Sequence, residues 1–316
     1  MFRKKILIII VSSVCVTSAW GQQTDSALLY NDPYIAELDS LLNEPGSSDF
    51  LKLIDSLINL PAPAIKSQMI VRLGYNSNVV SASRTIGLNQ FGMAPGISYY
   101  HKSGFYADAT GYWSEEYEPN YYLTVGSVGY MNSPTKWWSF MTEYSRYMYS
   151  RLNEDDYIAY KNNVGVSNFF DVGLFTFRLD YQFYFGDKTA HRISPSIMLN
   201  LYKTNVGIFD RVAFYPMCSV LLGNEQWTKN TPYPLALTRL GFLYLWRNNL
   251  PRYYTETFNK FGVLNYSFVA PLAVTVKQWT FLVSYTYNIP KSLSGEPIEL
   301  VNAGYISASI SKRVKF

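Results

Sequence analysis

From Ser67 onward, apolar and polar residues alternate with a period of two, which predicts β-strands with one apolar and one polar face. GLFTFRLDYQFYFGD, residues 173–187, shows this most clearly. Phe175, Phe177, Leu179, Tyr181, Phe183 and Phe185 share one parity, and Thr176, Arg178, Asp180, Gln182 and Tyr184 share the other. The pattern predicts twelve strands, at 67–77, 91–102, 104–114, 120–131, 136–149, 157–168, 172–186, 192–203, 210–223, 261–271, 277–289 and 302–316. Before Ser67 the spacing is helical. Ile35, Leu38, Leu41 and Leu42 recur between Asp32-Pro33 and Pro45-Gly46; Phe50, Leu51, Ile54, Leu57 and Ile58 recur between Ser47-Ser48 and Pro61-Ala62-Pro63. Residues 22–66 are therefore expected to hold two short amphipathic helices, packed on each other or on one mouth of whatever the strands form, or docking a partner or acting as a plug.

A strand with a greasy face and a charged face fits a soluble sandwich with the aromatics inside, or a membrane barrel with the aromatics outside. The links between strands favour the barrel. KSG, NSPTK, NFFDV, KTNVGIFD and APLAVTVK are tight, and they alternate with mostly longer, more polar links such as NVVSASRTIGLNQ, SEEYEPN, SRLNEDD and IPKSLSGEPIEL. Short turns at one end and long loops at the other are the asymmetry of an outer-membrane barrel, and a sandwich has no reason to sort its loops this way. An even strand count also lets both ends of a closed barrel lie on one side.

The start of the chain and its composition agree. Arg3, Lys4 and Lys5 precede an apolar run from Ile6 and small residues at Ala19 and Gly21, which reads as a secretory signal peptide over residues 1–21. Without it, 24 Lys+Arg face 23 Asp+Glu, so the net charge falls from +4 to +1 and nothing suggests a nucleic-acid partner. Cys218 is then the sole cysteine, which rules out an intramolecular disulfide or a cysteine-rich metal site. No later segment reaches 18 continuous apolar residues, yet aromatics make up 17% of the chain, more than one core needs but suited to interfacial girdles.

The last strand, AGYISASISKRVKF, is amphipathic and ends in Phe316. With the signal peptide, it makes residues 67–316 resemble Bacteroidetes-type outer-membrane β-barrel proteins. The resemblance implies an all-β transmembrane antiparallel barrel, a periplasmic location for residues 22–66, and surroundings of outer-membrane lipid and lipopolysaccharide. It carries no catalytic residue. Two features fit less simply: Lys312 shares the outward parity and would have to snorkel, and Pro95, Pro195 and Pro216 fall inside strands, where bulges or shifted boundaries are expected.

With the apolar parity outward, the inward parity collects Arg72, Asp108, Glu143, Lys161, Arg178, Asp180 and Arg192 as residues expected to line the interior. Four cations against three anions select neither charge. Twelve strands lie between small filled barrels and wide porins, so a narrow or occluded interior is expected. Residues 224–260 are too long for a turn and too apolar for a solvated loop. They predict a helix folded into or over the mouth, an extra strand pair making fourteen strands, or a patch that docks an envelope protein.

Catalytic chemistry finds little support. His191 and Ser194 differ in parity, and His101 and Ser103, correctly spaced for a membrane-embedded lipid hydrolase, fall at a turn without an orienting acid. Without a phosphate loop, HExxH or CxxC, no cofactor is assigned. The acidic runs EEYEP and NEDD, residues 115–119 and 153–156, could gather a divalent cation bridging lipopolysaccharide phosphates, or simply be solvated loop tips. The pattern thus leads to a narrow or gated channel for small solutes, with an assembly subunit containing a plugged barrel, and a lipid hydrolase, as alternatives.

Overall fold

The computed structural model describes residues 67–77, 92–115, 120–150, 160–234, 238–248, 251, 253–296 and 300–316. The expected signal peptide and helical segment, residues 1–66, lie outside them. Fourteen strands and one helix follow in order: β1 (Gln68–Asn76), β2 (Gly92–Tyr100), β3 (Phe105–Trp113), β4 (Tyr121–Asn132), β5 (Trp138–Tyr149), β6 (Asn162–Val172), β7 (Phe175–Phe185), β8 (Thr189–Leu199), β9 (Leu201–Val206), β10 (Phe209–Phe214), β11 (Met217–Pro232), α1 (Arg239–Arg247), β12 (Tyr253–Val276), β13 (Trp279–Pro290) and β14 (Ala303–Lys315).

Twelve of the strands form one closed antiparallel wall. β1 to β8 pair in sequence, β8 pairs with β11, β11 to β14 follow, and β14 pairs with β1 from Gln68↔Lys315 to Asn76↔Ser307. Closure gives every wall strand two neighbours, so no row of backbone N–H and C=O groups is left at an edge. β9 and β10 continue β8 and β11 past breaks at Asn200 and at Tyr215-Pro216, forming a hairpin whose β10 also pairs with the end of β12. The two strands beyond twelve are therefore this hairpin at the short-turn end, not a pair within residues 224–260.

The two faces of the wall divide as their chemistry requires. Along β7, Thr176, Asp180 and Tyr184 are buried, while Phe175, Phe177, Leu179 and Tyr181 are exposed. The exposed face carries aliphatics at mid-strand, such as Val71, Leu73, Ile97, Val128, Leu179, Ile197 and Val283. In water such a belt would forgo about 1.5–3 kcal/mol per large side chain. In hydrocarbon the cost vanishes. Aromatics bound the belt at the short-turn end, where Phe105 packs on Tyr130 (4.9 Å between centroids), Trp138 on Phe140 (5.8 Å) and Trp137 on Phe170 (6.3 Å). At the other end Phe183 packs on Phe185 (5.5 Å) and on His191 (4.9 Å). Two aromatic girdles around an apolar band are the profile of a membrane-spanning barrel.

Several boundaries differ from the pattern-based expectation. NFFDV is not a turn: β6 runs to Val172, and the chain reverses at Gly173-Leu174, where Gly173 has φ 62°. β12 likewise runs through APLAVTV to a turn at Lys277-Gln278, and KTNVGIFD turns only at Gly207-Ile208, where Gly207 has φ 64°. At Gly173 and Gly207 the positive φ is easy for glycine, whereas at the third turn Lys277 itself takes φ 55°. Pro95 and Pro195 stay in register with Leu73 and Leu179, but the ladder to β3 skips Ala94 and Pro95, and the ladder to β11 skips Ser194 and Pro195. Each proline thus weakens one side of its strand without a bulge. The bulges fall at Tyr112/Trp113 and Leu221/Leu222. Lys312 lies on the outward face with its ammonium 5.2 Å from the Trp279 ring centroid, near the short-turn end.

Residues 224–260 are mostly the prolongation of two wall strands. β11 and β12 stay paired to Pro232↔Tyr253, far past the last β8 partner at Gly223↔Arg192. Within the connection, α1 starts at Thr238, whose hydroxyl accepts from the Gly241 N–H (3.1 Å), and has Asn248 as its C-cap.

Candidate functional site

The charged residues of the inner wall are held in pairs. On β1, Arg72 lies opposite Gly96, and its guanidinium crosses that glycine to reach Asp108 on β3, 2.7 Å away. A Cβ at position 96 would sit 2.9 Å from the guanidinium carbon, so the glycine makes room for the crossing. Arg72 also donates to Ser98 and Thr110, and Asp108 accepts from their hydroxyls at 2.6 Å and 2.9 Å.

The same construction recurs elsewhere. On β7, Arg178 and Asp180, two residues apart and so on one face, meet at 2.7 Å, with the guanidinium carbon 5.6 Å from the Phe169 ring centroid. On β8, Arg192 bonds Glu225 of β11 at 2.6 Å and donates to the Asn224 carbonyl, across Gly223. Glu143 takes the Tyr106 hydroxyl (2.7 Å) on one oxygen and the Ser145 hydroxyl (2.9 Å) on the other. Lys161 reaches Asp187 at 3.3 Å in a more exposed setting.

Of the seven residues picked out by parity, the structure joins Arg72 to Asp108 and Arg178 to Asp180. It gives Arg192 and Lys161 acidic partners that parity did not select, Glu225 and Asp187. Glu225 was missed because residues 224–260 were set apart from the strands. The signal was present: Gly223, Glu225 and Trp227 continue the inward parity of the upper part of β11.

Burial decides what these pairs mean. Side-chain exposure is 8% and 6% for Arg72 and Asp108, and 4% and 5% for Arg192 and Glu225. Charges this enclosed are surrounded by side chains rather than bulk water, and each ion would cost several kcal/mol without its partner. At these levels the two pairs are enclosed by the side chains around them.

β12, β13 and β14 differ from the rest. Their buried positions include Asn265, Ser267, Ser284, Thr286, Asn288 and Ser307, all uncharged. Asn265 Nδ2 donates to Ser267 (2.6 Å) and to Asn288 Oδ1 (3.0 Å), and the Ser267 hydroxyl also donates to Asn288 Oδ1 (2.6 Å). Asn265 Oδ1, Asn288 Nδ2 and the Ser284 hydroxyl remain without a hydrogen-bond partner among the described residues. Such groups cost about 1–3 kcal/mol each when left unmet.

Above this strip, Trp227 stacks on Phe258 (5.9 Å, 20°) and packs with Leu264 and with Leu293 of the segment after β13. Lys260 donates to the Ser294 carbonyl at 2.6 Å, which ties that segment against the prolonged hairpin, and within the segment Glu296 accepts from the Leu293 N–H at 2.7 Å.

The histidines stand apart from this wall. His101 Nδ1 is 2.6 Å from the Ser103 hydroxyl in an exposed turn. No carboxylate is paired with His101 among the described residues, so the orienting member of a hydrolytic triad is lacking. His191 sits in the outward aromatic girdle, 2.8 Å from the Tyr181 hydroxyl, on the opposite face from Ser194. No group of three or more metal-ligating side chains occurs among the described residues. Most of the two acidic runs, residues 116–119 and 151–159, lies outside them.

No protein-family model and no curated protein matches the chain. Among solved structures it is similar to the KdgM porin, at 10% identity over 78% of this chain and 98% of that one, with a TM-score of 0.42. It is likewise similar to the NanC porin, at 13% identity over 78% of this chain and 100% of that one, TM-score 0.41. A third is the translocator domain of the autotransporter NalP from Neisseria meningitidis, at 12% identity over 92% of this chain and 100% of that one, TM-score 0.40. The weight rests on the molecule itself. A closed twelve-stranded wall with an exposed apolar band between aromatic girdles makes the protein an outer-membrane β-barrel.

Proposed function

We propose that the protein is a narrow, solute-restricted channel of the outer membrane. The observation that carries this reading is the set of inner-wall ion pairs Arg72–Asp108, Arg178–Asp180 and Arg192–Glu225, held at 2.6–2.7 Å and only 4–14% exposed, between apolar clusters such as Ile70, Tyr100 and Tyr106. A barrel serving only as a membrane scaffold has no need of enclosed charges, whereas a wide porin would leave these charges wet. Arg72, Asp108, Glu143, Lys161, Arg178, Asp180 and Arg192 are then the groups that bound the path, and the Trp227–Leu293 cluster narrows its outer mouth. Single-channel recording on the purified barrel in planar bilayers tests this. Small discrete steps are expected, growing in the Arg178→Ala/Asp180→Ala variant; silence of both proteins in a folded, heat-modifiable state overturns it.

An assembly role is favoured by one separate observation. α1 exposes Leu240, Leu243, Tyr244 and Trp246, an apolar face for which a partner protein is a fitting cover. Residues 22–66 are a second proposed contact. If the barrel is an assembly subunit, Leu240→Asp/Trp246→Asp releases a co-purifying envelope protein while the barrel stays folded; unchanged co-purification removes α1 as the contact.

A further inference from the structure

The inner wall is unevenly charged around its circumference, and the uncharged part is where hydrogen-bonding capacity is left over. The four ion pairs above and Glu143 all lie on the wall from β1 to β8 and β11. The three arginines there each meet a carboxylate within 2.7 Å, Lys161 meets Asp187 at 3.3 Å, and Glu143 is met by two hydroxyls, so this part of the wall offers little net charge to a passing ion.

From β12 across β13 and β14 to the outer end of β1 runs a strip of Asn265, Ser267, Asn288, Ser284, Ser307 and Asn76. Ser284 stands opposite Ser307, Ser307 opposite Asn76, and Ser267 opposite Asn288, so the side chains form two groups on one face, joined along β13 through Thr286 between Asn288 and Ser284. All six are buried, Asn265 and Asn288 completely. Asn265 Oδ1, Asn76 Oδ1, Asn288 Nδ2 and the Ser284 hydroxyl have no hydrogen-bond partner among the described residues. Turning the amide of Asn265 would exchange a free acceptor for a free donor and leave the strip equally unsatisfied.

We infer that this strip is the solute-recognising lane of the channel and that it takes small, neutral, hydroxyl-rich solutes. The inference rests on the channel reading above. Two acceptors, one donor and one hydroxyl along the strip call for a ligand whose groups both donate and accept, and a hydroxyl does both. Neutrality follows from the strip itself, whose six side chains carry no charge. A lane for anions or cations would present an unmatched charge to focus the field, and this strip presents none.

The test combines two readouts on the full-length barrel. In a KCl gradient the reversal potential is expected near zero. Proteoliposomes are expected to swell faster in arabinose than in the charged, similarly sized arabinonate. Asn265→Leu/Asn288→Leu should slow arabinose swelling by about fivefold, the effect of one ordinary hydrogen bond, while KCl conductance changes by less than about twofold. If that double variant fails to insert, Ser284→Ala removes a single orphaned hydroxyl and should slow arabinose selectively in the same sense. A marked charge preference, or an equal loss of arabinose flux and KCl conductance, overturns the lane while leaving the channel standing. Absence of any flux in wild type overturns both.

Discussion

At the residue scale, the decisive groups are charges enclosed by a wall of side chains. Arg192 and Glu225 are each about one-twentieth exposed, so removing one strands the other in a low-dielectric setting. Arg192→Met is expected to destabilise the barrel by about 3–5 kcal/mol in urea unfolding followed by tryptophan fluorescence. Arg192→Met/Glu225→Leu is expected to recover most of that loss, because two apolar groups of similar volume need no partner. A single variant as stable as wild type would mean that water reaches this pair. Only some of these partnerships could be read from sequence. Arg178 and Asp180 share a parity two residues apart, so their contact follows from strand geometry alone. Arg72 and Asp108 lie on different strands, β1 and β3, separated by β2. Their meeting depends on two registers and on the missing Cβ of Gly96, neither of which alternation reveals.

At the element scale, β7 displays the membrane profile within one strand: Phe175 and Phe177, then Leu179, then Tyr181, Phe183 and Phe185 on the outward parity. Depth therefore makes a quantitative prediction. Leu179→Arg, at the apolar midpoint, is expected to cost about 2–4 kcal/mol of folding free energy in lipid, and Phe185→Arg, at the girdle, about 0–1 kcal/mol. Equal costs at both positions would contradict the assigned depths. α1 makes another. Arg239 and Arg247 are exposed at the ends of a short helix far along a prolonged hairpin, so limited trypsin is expected to cut there first, leaving a barrel that still shifts on heating. Strand existence was legible in the sequence because alternation over nine to twelve residues is a strong signal. Strand ends were less so. β11 and β12 continue past the rim through GNEQW and TFNKF, where side chains become polar on the outward face because that part of the hairpin leaves the apolar band. The change of environment masked the continuation and made residues 224–260 look like an insertion.

At the scale of the whole molecule, closure is what turns an amphipathic repeat into an outer-membrane protein. The β1–β14 ladder removes the last open edge, the exposed face finds lipid, and the polar face is left to fill or to conduct. The even strand count and the sorting of short turns from long loops made this architecture visible before any register was known. The occupancy of the interior was not visible, because it depends on how far Arg72, Arg192 and Trp227 reach across the wall. We propose that this interior is a narrow path held partly closed by its own ion pairs. Single-channel conductance of wild type beside Arg178→Ala/Asp180→Ala in matched bilayers addresses it most directly. Small discrete steps are expected for wild type and larger steps for the double variant. Steps of wide-porin size in wild type, unchanged by the double substitution, would contradict it.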